Sequence, residues 1–584
     1  MIRLFLLLAS LALARPALVE VRLNVTVSRL DGDMPIGFDR RSYNGGAVGP
    51  TIRVRRGDTL RLVLDNQLST APPTLVGRYF WDKQAKGANK TGQWAHDQDV
   101  YSHPNYTNIH LHGMHVSPAG TADDITRTCA PQSSLTYEYT IPADHSAGTF
   151  WYHPHFDQAS ALQIASGMVG ALIVEDDAAT LDPALAAMAE QLLVLHEVSH
   201  SNAPLGSENI LCFFCEDDFS WPSGDALPLR KVFNPRYGFD KTCGKLGAPP
   251  GTKDDAGQQL QPFDCSFLLL NGAYQPALPL VAGQWTRWRV VQSSHQSALR
   301  LAPPPAGCEM VLLALDGAYL DAPRALLPAA AGAAGGGLVL PAGARADVAV
   351  RCAAAGSYNV SSLGGGLHAR GSTLETYEPV LYPRRIATLL VAPAPAGVPA
   401  AAPLLAGGAG GVVGGVTLPR RPAAMADLRG ATVDARFRVV YNLTGPGEAG
   451  GLGQFKNGGM FSINDLSFRG RPEHCMELGS IQEWTIVNAH NPLERWMHSF
   501  HIHVNNFQVV SNTVGAPGQL IAESAAGADW RDTIVVPVGG QVTIRMNLTD
   551  FVGVFPFHCH VTAHQDLGMM MFVEIVNGSC GGRS

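Results

Sequence analysis

The sequence has no block of basic residues. Its net charge is −7 over 584 residues, which excludes a chain built to bind nucleic acid electrostatically. Beyond the N-terminus it has no apolar run that reads as a membrane span. Long helical periodicity is scarce too, with "PALAAMAEQLLVLHE" at 183–197 as the main exception. These absences leave a globular chain made mostly of strands.

What is present fits that. Short runs rich in Val, Ile and Thr recur between turn residues: "TIRVRRGDTLRLVLDN", "TRWRVVQSS", "RADVAVRC" and "DTIVVPVGGQVTIRMNLTD". Many short strands with frequent turns predict sandwiches or barrels. At roughly 150 residues per domain, the length predicts three or four domains. A Gly/Ala/Pro-rich tract at 391–423 reads as a linker or long flexible loop.

The N-terminus reads as an address. Arg3 precedes the apolar run "LFLLLASLALA", which ends in small residues, so residues 1–14 are expected to be a signal peptide cut near Arg15. Seven Asn-x-Ser/Thr sites, at Asn24, Asn89, Asn105, Asn359, Asn442, Asn547 and Asn577, fit a secreted glycoprotein. In that setting most of the ten cysteines are expected to pair. Cys308 and Cys352 flank two strands and are one expected pair.

The chain repeats itself. "GTFWYHPH" (148–155) aligns without gaps on "GVFPFHCH" (553–560), and "IHLH" (109–112) echoes "FHIH" (500–503). The middle third has "GSYNVSS" (356–362) at the corresponding place, with no histidine. Three related β domains follow, and only the outer two carry the histidines.

Those histidines form four His-x-His pairs: His110/His112, His153/His155, His501/His503 and His558/His560. On a strand, residues i and i+2 share a face, so each pair aims two imidazoles at one spot. Eight imidazoles exceed what one ion takes and suit a cluster of three. Cys559, between His558 and His560, points to the opposite face, where His498 and His564 can meet it. Two imidazoles, a thiolate and a weak thioether from Met569 make a blue-copper donor set. Zinc would have no use for a lone thiolate wired to a histidine cluster.

On these motifs the sequence resembles the multicopper oxidases of the laccase and ascorbate oxidase type, over nearly the whole chain after residue 14. The resemblance implies an all-β chain of three cupredoxin-like Greek-key domains, here 15–178, 179–390 and 424–584. It implies four coppers per chain, with His498, Cys559, His564 and Met569 on the type 1 ion. His110 and His501 would take the type 2 ion. His112, His153 and His560 would take one type 3 ion, and His155, His503 and His558 the other. The cluster would lie between the outer domains. A small-molecule or metal-ion donor would be oxidised and dioxygen reduced to water.

The resemblance also suggests Asp123, or Asp124 if the loop differs, as a catalytic carboxylate handling protons near the type 2 ion. Glu494 would be a carboxylate beside the type 1 site, of the kind that iron-oxidising relatives use. A Cys129–Cys580 disulfide would tie the first domain to the tail. Some relatives carry a glutamate where this chain has Gln565, and a glutamine cannot relay protons as an acid. In the first copy Pro154 replaces the cysteine and Thr107 stands in place of His498. Asp532, in "DWRDTIVVP", reads as a turn residue without chemistry. His96, His103, His115, His196, His200, His295, His368, His474 and His490 show no partner pattern, and His115 is the one expected nearest the coppers. No methionine-rich run accompanies the motifs, which speaks against a dedicated cuprous oxidase. Laccase-like oxidation of phenols is the favoured reading, with iron or other metal-ion oxidation and ascorbate oxidation as alternatives, and a non-catalytic extracellular copper-binding protein as the rival from another class, disfavoured because Cys559 is retained.

Overall fold

The computed structural model describes residues 16–75, 105–199, 266–326, 337–363, 384–405, 415–443, 461–489, 497–513 and 529–581. Within these, 33, 35, 71–73, 158, 538 and 567 are excepted, and the short strands at 219–220 and 232–233 are added. The signal-peptide segment, Glu494, Asn89 and four cysteines (Cys212, Cys215, Cys243 and Cys265) lie outside the described residues.

Strands dominate, and the reason is visible along them. Thr59–Asn66 and Ile481–Asn488 alternate half-buried and buried positions through their whole length. That is the pattern of a strand with one face on a core and one toward water. Three pairs of sheets result. The first third forms a four-stranded sheet and a five-stranded sheet whose edge strand, Val232–Phe233, comes from the middle third; the middle forms a seven-stranded and a five-stranded sheet, the last a six-stranded and a five-stranded sheet, and a separate two-stranded sheet pairs Thr74–Leu75 with Phe219–Ser220. Each pair encloses its own apolar core, around Tyr137 and Phe150, around Trp288 and Leu312, and around Trp484 and Phe557.

The predicted helix at 183–197 is mostly a strand. Only Pro183–Ala186 is helical, capped by the Asp182 carboxylate accepting from Ala184 N. Ala189–Ser199 instead runs parallel to Thr286–Gln292 and antiparallel to Ser266–Leu270. Pairing on both edges outweighs the weak helical preference of a short apolar run.

The Gly/Ala/Pro tract is strapped down where described. Leu404, Val416 and Leu418 join the middle core. Trp285 Nε1 donates to the Ala402 carbonyl at 2.8 Å, and Asp182 accepts from Thr417 N at 2.9 Å.

Two disulfides occur among the described residues, Cys308–Cys352 and Cys475–Cys580. The first matches the expected pair; the second overturns Cys129–Cys580. Cys475 lies on Pro472–Glu477, which runs parallel to the last strand, Met570–Val576. The chain leaving that strand therefore passes Cys475. Cys129 is buried and free in the first core, with its sulfur against the Leu64 and Ser133 carbonyls.

Candidate metal centre

The internal repeat is exact in register. Strand His110–His112 pairs with Gly148–His153 so that His110 faces His153. Strand His498–Ile502 pairs with Gly553–Cys559 so that His501 faces His558 and Phe500 faces Cys559. The two hairpins bring all eight His-x-His imidazoles into one buried cluster.

Two trios form within it. In the first, His153 Nε2 and His560 Nε2 lie 3.4 and 3.2 Å from His112 Nδ1. In the second, His155 Nε2 and His503 Nε2 lie 3.1 and 3.3 Å from His558 Nε2. The rings of His110 and His503 stack at 3.6 Å, and those of His112 and His501 at 3.8 Å. His110, His112 and His501 form a third group.

Backbone and carboxylate acceptors fix the ring orientations. The Nδ1 atoms of His153, His558 and His501 face the carbonyls of Pro154, Cys559 and Asp532 at 2.9, 3.1 and 2.8 Å. His110 Nδ1 faces Asp123 Oδ2 at 2.7 Å, while Asp123 Oδ1 accepts from Leu111 N at 3.0 Å. With Nδ1–H donating outward, each of these rings aims an Nε2 lone pair inward. His112 is reversed. Its Nε2 meets Asp532 Oδ1 at 3.2 Å and Thr533 Oγ1 at 3.1 Å, which leaves Nδ1 for the trio.

Lone pairs that converge within about 3.4 Å need a cation between them. His110 Nε2 and His501 Nε2 are also buried without a hydrogen-bond partner. Burial pushes the imidazoles of His155 and His560 down to about 3, and lowers those of His112, His153, His501, His503 and His558 well below their ordinary range. The rings are thus neutral, the state that binds metal. This donor set fits several copper ions.

On the other face of the same strand, Cys559 Sγ lies 3.4 Å from His498 Nδ1 and 3.6 Å from His564 Nδ1. All three are buried. Burial pushes the thiol up to about 12, so the thiolate forms only against a cation. Met569 is fully buried in the same core, and its N donates to the His564 carbonyl at 2.9 Å. Phe461 stacks on His564 at 4.0 Å.

The first copy has a different filling at the equivalent place. Thr107 Oγ1 donates to Gln163 Oε1 at 2.9 Å. Met168 N donates to the Gln163 carbonyl at 3.1 Å, the same contact that Met569 makes with His564. Thr107, Pro154, Gln163 and Met168 thus stand where the last domain has His498, Cys559, His564 and Met569.

Asp123 is brought to the cluster with both oxygens engaged in holding His110 and Leu111. Asp124 instead caps its own turn, accepting from Thr126 N and Oγ1 at 2.9 and 2.6 Å. His115 reaches the last domain, facing the Val504 carbonyl and Asp550 Oδ2, both at 2.8 Å. Asp532, expected to be a bare turn residue, is buried against His112, and burial raises its carboxyl to about 6. The sequence signal was there: a charged side chain one residue before the buried strand Thr533–Val536 requires a partner.

Comparison with known proteins agrees. Two multicopper oxidase family models match residues 101–179 and 444–579. A bilirubin oxidase from Albifimbria verrucaria is 29% identical over 118 residues, 20% of each chain. Laccase-1 of Thanatephorus cucumeris is 29% identical over 175 residues, 29% of this chain and 23% of the relative. The aligned parts thus span only about a fifth to a quarter of these relatives' length. Over 96% of the chain, the fold matches the solved multicopper oxidase of Campylobacter jejuni, described as a metallo-oxidase, at 20% identity. That match has a TM-score of 0.61 and covers 91% of that structure. The sheet pairs are cupredoxin-like units, and the two matched segments contribute the two halves of one histidine cluster. Residues 101–179 and 444–579 thus match multicopper oxidase family models, and the chain has the fold of the solved multicopper oxidases.

Proposed function

We propose that the chain is an exported, laccase-like oxidase that couples one-electron oxidation of a phenolic or similar donor to the reduction of dioxygen to water. The observation that carries this reading is Cys559: its sulfur faces His498 and His564, while the residues on either side, His558 and His560, face the eight-imidazole cluster. Bound copper would supply one-electron acceptance at the thiolate end and four-electron reduction of dioxygen at the cluster.

The protein's own contribution is to hold and orient. His498, Cys559 and His564 would hold the type 1 ion with Met569 as axial neighbour. His110 and His501 would hold the type 2 ion. The trios His112/His153/His560 and His155/His503/His558 would hold the type 3 pair. The strand segment 558–560 gives a covalent path between the two ends. The buried packing of Phe461 on His564 keeps water off the thiolate end. Asp123 keeps His110 in one tautomer. The expected signal peptide and the sequons support export.

Metal-ion oxidation is the second reading, favoured by the likeness to a structure described as a metallo-oxidase. Oxygen uptake by purified, copper-loaded protein with a diphenol, Fe(II), Cu(I) and ascorbate separates the readings. Turnover of the diphenol above the others is expected. Preferential Fe(II) or Cu(I) turnover overturns the laccase-like reading, and no uptake with any donor overturns both. If Fe(II) leads, loss of that activity alone in Glu494→Ala assigns Glu494 to the donor site.

A further inference from the structure

Among the described residues, the middle domain supplies no member of the histidine cluster, yet it reaches it. A turn at 341–345 enters between the outer domains. A Cβ on Gly343 would stand 2.9 Å from the His560 ring and 3.0 Å from His112 Cε1. A Cβ on Gly113, next to His112, would stand 2.1 Å from Arg345 Nη2 and 2.5 Å from Asp532 Oδ2. Glycine at both positions lets the Arg345 side chain pass close behind His112.

Arg345 is fully buried. Its Nη1 and Nη2 donate to Asp532 Oδ1 and Oδ2, each at 2.6 Å. Its Nε donates to the Thr149 carbonyl of the first domain at 3.3 Å, and its backbone N donates to Asp316 Oδ1 at 2.8 Å. Asp316 Oδ2 accepts from Arg531 Nε at 2.7 Å, so a second ion pair braces the first. Asp532 Oδ1 also accepts from Thr533 Oγ1 at 2.7 Å and faces His112 Nε2 at 3.2 Å. The Asp532 carbonyl accepts from His501 Nδ1 at 2.8 Å.

We infer that Arg345 is a positioning residue of the copper cluster: its guanidinium fork locks the Asp532 carboxylate so that His112 donates from Nε2 and presents Nδ1 to the trio. The fork fixes both carboxylate oxygens in one plane, which a point charge cannot do. An unlocked Asp532 frees His112 to turn or to change tautomer, and the trio loses a ligand atom. Removing such outer partners costs about 10- to 100-fold in metal affinity. The middle domain, in this light, is a ligand-free third wall of the cluster. The inference rests on the proposed copper cluster.

The test uses full-length Arg345→Met and Arg345→Lys, reconstituted with copper beside the natural chain. Copper is counted by mass spectrometry, the thiolate site by its visible absorption, and the remaining ions by electron paramagnetic resonance during titration with a chelator. The natural chain is expected to hold four coppers. Arg345→Met is expected to keep the visible band and release the non-blue ions at about 10- to 100-fold lower chelator concentration, with Arg345→Lys between the two. Loss of the band together with the other ions in a folded variant contradicts the assignment, because His498, Cys559 and His564 do not touch Arg345. So does retention of all four coppers with unchanged resonance parameters. If Arg345→Met does not fold, Arg345→Lys carries the same comparison. A natural chain that binds no non-blue copper refutes the proposed function instead.

Discussion

Asp123→Asn tests the histidine cluster with the smallest change of shape. In the folded chain one carboxylate serves two donors, His110 Nδ1–H at 2.7 Å and Leu111 N–H at 3.0 Å. Asparagine has one acceptor and one donor end. If its oxygen faces His110, its amide N–H opposes the Leu111 N–H. If its amide faces His110, the ring must accept on Nδ1 and carry its proton on Nε2, the buried atom now aimed at the cluster without a partner. Either arrangement leaves a buried donor unmet or removes a ligand lone pair. An unmet buried donor costs about 1–3 kcal/mol. At about 1.4 kcal/mol per decade, that is roughly a 5- to 150-fold loss of affinity for the ion His110 would share with His501. The assay is chelator titration followed by electron paramagnetic resonance of the non-blue copper, with circular dichroism confirming the fold. A folded Asp123→Asn protein whose non-blue copper affinity stays within about twofold of the natural chain refutes the reasoning.

Further outcomes are expected. Cys559→Ser should be colourless in the visible and inactive with every donor, while keeping the three cluster coppers that do not use the thiolate; a retained blue band contradicts the assignment. Asp347 is the hub of a buried ion-pair group with Arg287, Arg289 and Thr149. Burial alone would raise its carboxyl, but the two arginines hold it below 3.8. Its stabilising effect is therefore complete above about pH 3.8 and is lost as pH falls through the lower folded value. Asp347→Asn should lower the melting temperature at pH 7, by the equivalent of about 3–5 kcal/mol, and should flatten the decline of melting temperature on acidification; an unchanged acid limb counts against it. Peptide mapping should recover Cys475 linked to Cys580, with Cys129 as a free thiol. Glycan mapping of secreted protein should find Asn359 and Asn577, which are exposed, occupied. It should find Asn105 bare, because its amide is buried and donates to the Ser69 carbonyl at 3.0 Å.

The residues readable from sequence were those whose geometry is local. Histidines two apart on a strand must share a face, and the cysteine between two of them must take the other; no tertiary knowledge is needed. The gapless repeat then implied the two-hairpin cluster. What escaped depends on contacts between distant segments. Arg345 and Asp532 are 187 residues apart and meet only because three sheet pairs converge. Cys580 meets Cys475 because a parallel strand pair places them side by side, a register that spacing does not encode. The strand at 189–199 looked helical because a buried apolar run carries no period of its own.

The plug of Thr107 on Gln163 has a consequence for traffic through the molecule. The duplicated fold offers two flanks of the same shape, and both could have served as doors. A hydroxyl–amide contact conducts nothing and coordinates nothing, so one flank is bricked up. Under the proposed function, reducing equivalents would then enter at the Cys559 flank, and the loops around that flank would decide which molecules spend their electrons here.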